Sequence, residues 1–163
     1  MDTFDAEPEA CPMPLPTQAP PDEELALILA RSRTVAVVGA SPRPTRTSHA
    51  ISVWLMENTR YEVFLVNPMA GEEDIEGHGF YADVRDLPVT PDIVVAFRRA
   101  EDIPPVADAA IACDAAVLWM QLGIENEQAA ALARAAGLDV IQNRCIKVEY
   151  ARLKNEIDAL QVS

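Results

Sequence analysis

Short apolar, β-rich runs alternate along this chain with segments of helical spacing, which predicts an α/β fold, a doubly wound parallel sheet of five strands with helices on both faces. The runs are continuous rather than alternating in polarity, as strands buried on both faces require. The segments between them are long enough for right-handed helical crossovers. At 163 residues and 50% hydrophobic, the chain can bury a core of its own.

Residues 1–21 hold six of the 13 prolines together with scattered acids, a mixture that cannot bury enough apolar area to offset its ordering entropy. They predict a disordered acidic tail ahead of one domain at 22–163. Asp22 is placed to cap a helix over Glu23–Arg31, with Leu25, Ile28 and Leu29 on one face. Strands are predicted at Thr34–Gly39, Glu62–Asn67, Asp92–Phe97, Ala115–Leu118 and Asp139–Gln142. Helices are predicted at Ser48–Asn58, Ile103–Cys113, Glu125–Ala136, which Gly137 ends, and Ile146–Leu160.

Charge narrows the partners. The net charge of −13 argues against nucleic acid and against anionic membrane, both of which call for a basic face. Residues 1–24 carry seven acids and no base, so the remainder has 19 acids against 13 bases and is only mildly acidic. Eleven of those bases are arginine, whose planar fork suits phosphate. The start has acids where a signal peptide needs bases, and no apolar run spans a bilayer. Cys11, Cys113 and Cys145 fit neither a zinc site nor a disulfide framework, so reduced thiols in a cytoplasmic protein are expected. His49 and His78 have no partners at metal-ligand spacing, and His78 falls in a polar loop.

In a doubly wound sheet, ligands meet the carboxyl ends of the strands, so the residues after each strand are the candidates. After the first come Gly39-Ala40-Ser41-Pro42-Arg43-Pro44-Thr45-Arg46, then a helix that Thr47 or Ser48 can cap. A dinucleotide loop reads G-x-G-x-x-G, and here only Gly39 fits, with Ser41 and Pro44 in the other glycine positions. Arg43, Arg46, the hydroxyls and a helix start together predict an anion site. The second strand ends in Asn67-Pro68, where an NAD site carries an acid for the ribose. The third ends in Phe97-Arg98-Arg99 and the fourth runs into Trp119-Met120-Gln121-Leu122-Gly123. Phe97 and Trp119 can wall a long ligand arm, with Arg98 and Gln121 as polar ends. Core packing is the simpler reading of each aromatic, and a buried inert thiol the simpler reading of Cys145.

V-A-V-V-G-A-S-P-R-P-T-R-T-S at 35–48, V-F-L-V-N-P at 63–68, F-R-R at 97–99, W-M-Q-L-G at 119–123 and N-R-C-I-K-V-E at 143–149 resemble the stand-alone CoA-binding proteins of bacteria and archaea. The resemblance covers roughly residues 22–153. It implies a Rossmann-like domain of strand order 3-2-1-4-5, similar to the CoA-binding domain of the succinyl-CoA synthetase α subunit. It also implies that Gly39, Ala40, Ser41, Arg43, Arg46 and Ser48 hold CoA phosphates. Asn67 and Pro68 would then lie by the adenosine, Phe97 and Arg98 by the pantetheine arm, and Gln121 and Gly123 near its thiol. Asn143 stands where the family usually has Asp, and Arg60 where it has glycine. The expected ligand is coenzyme A or an acyl-CoA, held without catalysis. The alternatives are an NAD(P)-dependent oxidoreductase and the CoA-binding subunit of a split acyl-CoA synthetase, with the second domain and its phosphohistidine on another chain.

Overall fold

The computed structural model describes residues 20–161, so nearly all of the expected tail lies outside the described residues. In chain order the elements are α1 (Asp22–Arg31), β1 (Thr34–Val38), α2 (Thr47–Asn58), β2 (Glu62–Val66), β3 (Asp74–Ile75), β4 (His78–Tyr81), β5 (Ile93–Ala96), α3 (Ile103–Ala112), β6 (Val117–Met120), α4 (Glu127–Ala135), β7 (Asp139–Ile141), α5 (Ile146–Arg152) and α6 (Lys154–Gln161). Short 3-10 turns at Val84–Asp86 and Ala100–Asp102 precede β5 and α3.

One sheet of seven strands runs β3-β4-β2-β1-β5-β6-β7, parallel throughout except for the β3–β4 pair. All five predicted strands are present, and the doubly wound Rossmann-like class stands. The two additional strands are short and sit at the edge. In β4, His78 and Gly79 are exposed, so no apolar run advertises it in the sequence. Among the five predicted strands alone the order is 2-1-3-4-5. The 3-2-1-4-5 order appears once β4 takes third place among the parallel strands, and β7 adds a sixth.

The β1 side chains alternate between two cores, as a doubly wound sheet demands. Val35 and Val37 join Leu25, Leu55, Tyr150 and Ile157 on the face covered by α1, α2, α5 and α6. Ala36 and Val38 join the other face, where the alanines Ala107, Ala110, Ala129, Ala130 and Ala133 let α3 and α4 pack closely.

Several local expectations are corrected. β6 begins at Val117 rather than Ala115, because its register follows Ile93 of β5, while Asp114 turns the chain at φ +61°. Asp22 is the first residue of α1 and does not cap it; its carboxylate is held by Arg152 instead. Neither Thr47 nor Ser48 caps α2, whose N-cap is Arg46 with no side-chain bond. The last helix bends at Leu153 into α5 and α6, although backbone bonds from Leu153 to Glu149 and from Ile157 to Leu153 run through the bend. Among the described residues, no helix is long and apolar enough to cross a membrane.

Candidate anion-binding site

Strand order reverses between β1 and β5, and there a turn led by Gly39 follows β1. Gly39 has φ +88°, and a Cβ on it would lie 2.2 Å from the Phe97 carbonyl oxygen. Glycine is therefore required twice over, by conformation and by the close approach of two strand ends. Gly39 N–H donates to the Val66 carbonyl at 2.8 Å, and Phe97 N–H donates to that of Val38 at 2.8 Å.

The following loop is held by its own hydroxyls. Ser48 Oγ, buried at the start of α2, accepts from Ser41 N–H at 3.0 Å. Ser41 Oγ accepts from Arg43 N–H at 3.1 Å, and His49 Nδ1 donates to the Ser41 carbonyl at 3.1 Å. Asn67 Nδ2 donates to the carbonyl of buried Ala40 at 2.9 Å, while its Oδ1 accepts from Met69 N–H at 2.9 Å. Asn67 thus ties the end of β2 to the loop, a role an aspartate could not fill because it has no donor.

Gly39, Ser41, Arg46, Ser48, Phe97 and Arg98 meet around one open groove of about 450 Å³, with Thr45, Thr47, Arg99 and Ile124 completing its wall. Three arginines border it and no carboxylate does. Arg99 is engaged, its Nε donating to Asp102 at 3.0 Å with Glu101 at 3.7 Å, and the Asp102 hydrogen bond above all raises its pKa. The guanidinium groups of Arg46 and Arg98, like that of exposed Arg43, have no hydrogen-bonded or ion-paired partner among the described residues.

A second hollow of about 360 Å³ opens beyond β2 and α3. Val38, Val66, Pro68, Val84 and Val106 give it an apolar lining, and Asp83, Asp102 and Arg98 add polar atoms. Arg98 borders both spaces, so the two adjoin across the end of β5.

Gln121 and Gly123 border neither space. Gln121 is 3% exposed, and its Oε1 accepts from Ile146 N–H at 2.9 Å, fixing the start of α5. Gly123, at φ +85°, donates its N–H to Asn143 Oδ1 at 2.6 Å, and Asn143 itself has φ +59°. An aspartate could adopt that backbone and accept the same bond, so the departure at 143 preserves the local geometry. Trp119 is fully buried and donates Nε1–H to the Arg144 carbonyl at 2.8 Å, which makes it core rather than ligand wall. Cys145 is half-buried against the same core.

Sequence reasoning missed Ile124 of the groove, His49 as a support of the loop, and the second hollow apart from Pro68 and Arg98. The hollow depends on Val84 and Val106, which approach the strand ends only in the fold. His49 lies eight residues from Ser41 and is brought back to it by the first turn of α2.

A family model described as CoA binding domain matches residues 33–151. The uncharacterized protein YneT of Bacillus subtilis is 40% identical over 137 residues, spanning 84% of this chain and 99% of that one. A hypothetical protein from Pyrococcus horikoshii has a solved structure that superposes with TM-score 0.79 at 32% identity, covering 90% of this chain and 99% of its own. A dinucleotide-forming acetyl-coenzyme A synthetase of Ca. Korarchaeum cryptofilum, in its apo form, shares the fold over 71% of this chain and 27% of that one, at TM-score 0.61 and 22% identity. With 119 of its residues matched by the family model and its strand-end groove in place, the chain belongs to the CoA binding domain family.

Proposed function

We propose that this chain binds CoA or an acyl-CoA along the carboxyl ends of its parallel strands and performs no chemistry of its own. One observation carries the reading: a chain of net charge −13 keeps a groove at the switch point with three arginines and no carboxylate, two of those arginines having no partner among the described residues. Unpaired cations in an acidic protein are disfavoured neighbours of one another unless an anion joins them. CoA supplies a diphosphate and a ribose phosphate, and Arg46, Arg43 and the amides at the start of α2 are suited to receive them. Membership of the CoA binding domain family supports that ligand over other phosphate esters.

The adjoining hollow suits the flat base of the nucleotide, with Pro68 and Val66 on one side and Val106 on the other. Phe97 and Arg98 lead from the groove toward Ile124, a course for the pantetheine arm that ends near Gly123 and Gln121. NAD is the weaker fit. Asn67 spends its side chain on Ala40 and Met69, leaving no acid for a ribose, and Ser41 and Pro44 replace the glycines of a dinucleotide loop.

Calorimetric titration with CoA, acetyl-CoA, NAD and NADP tests the reading. Saturable heat is expected with CoA or acetyl-CoA, at micromolar Kd or tighter. Saturation with NAD or NADP alone would reject it.

A further inference from the structure

The turn that follows β6 carries one residue that borders the groove and another that stands in solvent. Ile124 N–H donates to the Gln121 carbonyl at 2.9 Å, and Gly123, in third place, has φ +85° as a type II turn requires. Leu122 stands at the tip and is 68% exposed. The turn is pinned at several points. Gly123 N–H donates to Asn143 Oδ1 at 2.6 Å, Asn143 N–H donates to the Ile124 carbonyl at 3.1 Å, and Gln121 Oε1 accepts from Ile146 N–H at 2.9 Å. Its geometry does not ask for leucine at the second place, where proline is favoured for its fixed φ.

A lone exposed leucine carries no message. This one shares its turn with Ile124, which borders the groove together with Phe97, so the groove's apolar wall continues into the turn that presents Leu122. The segment Gln121–Ile124 has no charged side chain, and its one polar side chain, Gln121, is buried. The arginine end of the groove and the turn after β6 therefore offer opposite chemistry. Two strand spacings separate β1 from β6, about 10 Å at about 4.8 Å each. The pantetheine arm has three linked units, which span about 10 Å or more at the reach of as many residues. With its diphosphate on Arg46, CoA brings its sulfur to this turn, and whatever the sulfur carries meets Ile124 and Leu122.

We propose that the turn after β6 is a platform for an acyl chain, with Ile124 at its base and Leu122 at its tip, and that the ligand it favours is the thioester of an unbranched aliphatic acid of several carbons rather than free CoA. The inference rests on the CoA reading of the groove and adds the acyl class to it. A platform pinned in advance gains from contact with the chain without a cost of ordering itself. Met69 gives an internal comparison. It is 87% exposed and follows β2, with β1 and β5 between it and β6, so it stands at the end of the site where no acyl chain arrives.

The test is calorimetric titration of the full chain, Leu122→Gln, Leu122→Met and Met69→Gln with CoA, acetyl-CoA, butyryl-CoA and octanoyl-CoA. Burying one methylene in full is worth about fourfold in affinity, so an open platform touching part of the octanoyl chain should make octanoyl-CoA about tenfold tighter than acetyl-CoA. The heat-capacity change of binding should grow more negative along the same series. In Leu122→Gln the octanoyl preference should fall to about twofold or less while the Kd of CoA itself stays within about twofold, and Leu122→Met, still apolar, should keep the preference. Met69→Gln should keep it as well. Equal Kd values for acetyl-CoA and octanoyl-CoA in the parent overturn the proposal, as does a preference that survives Leu122→Gln or is lost equally in Met69→Gln. In each of those outcomes CoA still binds and the site reading stands. Absence of CoA binding by the parent rejects the site reading, and the acyl platform with it.

Discussion

Three cations near the β7 edge of the molecule and three around the switch point between β1 and β5 are treated in opposite ways. At the edge each is paired: Arg31 with Asp139 at 2.8 Å, Arg152 with Asp22 at 2.8 Å and Glu149 at 2.6 Å, Lys154 with Asp158 at 2.9 Å. Around the switch point, Arg43 and Arg46 after β1 and Arg98 after β5 have no such partner among the described residues, and no acid borders the groove that Arg46 and Arg98 share. Paired cations serve the fold, joining α1 to β7 and α5. Under the proposed function, those gathered at the switch point serve the ligand instead. The contrast predicts that substitutions at the edge lower stability and leave ligand affinity alone, and that substitutions at the groove do the reverse.

The one place where both should fall together is Gly39. Gly39→Ala places a Cβ 2.2 Å from a backbone oxygen in a left-handed conformation, so β1 and β5 must part at their ends. A loss of about 3 kcal/mol or more in urea unfolding is expected, together with CoA binding. Unchanged stability would mean that the two strand ends are not as close as described.

Arg46→Ala sharpens the groove's side of the contrast. Removing a charge-assisted phosphate contact should cost about 1.5 to 3 kcal/mol in CoA binding, a ~10- to 150-fold rise in Kd, with stability within about 0.5 kcal/mol of the parent. Pantetheine, which lacks the phosphates, should lose little. An equal loss for both ligands would assign the arginine to folding.

How much of this is legible in the sequence follows from what each residue needs. The five main strands show as apolar runs because both of their faces are buried, and Gly39, Arg46 and Phe97-Arg98 stand out because they follow where such runs stop. β4 is hidden because an edge strand needs no apolar run: His78 and Gly79 face solvent. Ser48 could be read as a helix cap, since a hydroxyl at a helix start usually is one. Only the fold shows that Ser41 N–H takes its oxygen. Asn67 was visible as a missing acid, but its bond to Ala40 joins residues 27 apart and depends on β1 and β2 lying side by side. The second hollow was out of reach for the same reason, being assembled from four separate segments.

The smallest effect tests the paired edge. Arg152→Ala leaves the Glu149 carboxylate, whose side chain is 7% exposed, without its cation, and about 1 kcal/mol of stability should be lost. The exposed contact with Asp22 adds little to that at neutral pH. CoA affinity should not change; a weaker Kd would erase the division between edge and groove. The Asp22 contact can be isolated by pH. Hydrogen bonds from Arg152 chiefly, opposed by desolvation and helped by the charges of Arg152 and Arg144, hold its carboxyl below the ordinary value. A carboxyl with a lowered folded pKa stabilises above its unfolded pKa and loses that contribution as pH falls through the folded one. Urea midpoints of the parent and Asp22→Asn should therefore differ by a constant small amount near neutrality and converge below the usual carboxylate range. A difference that persists there would mean that α1 is tied to α5 by neutral hydrogen bonding rather than by charge.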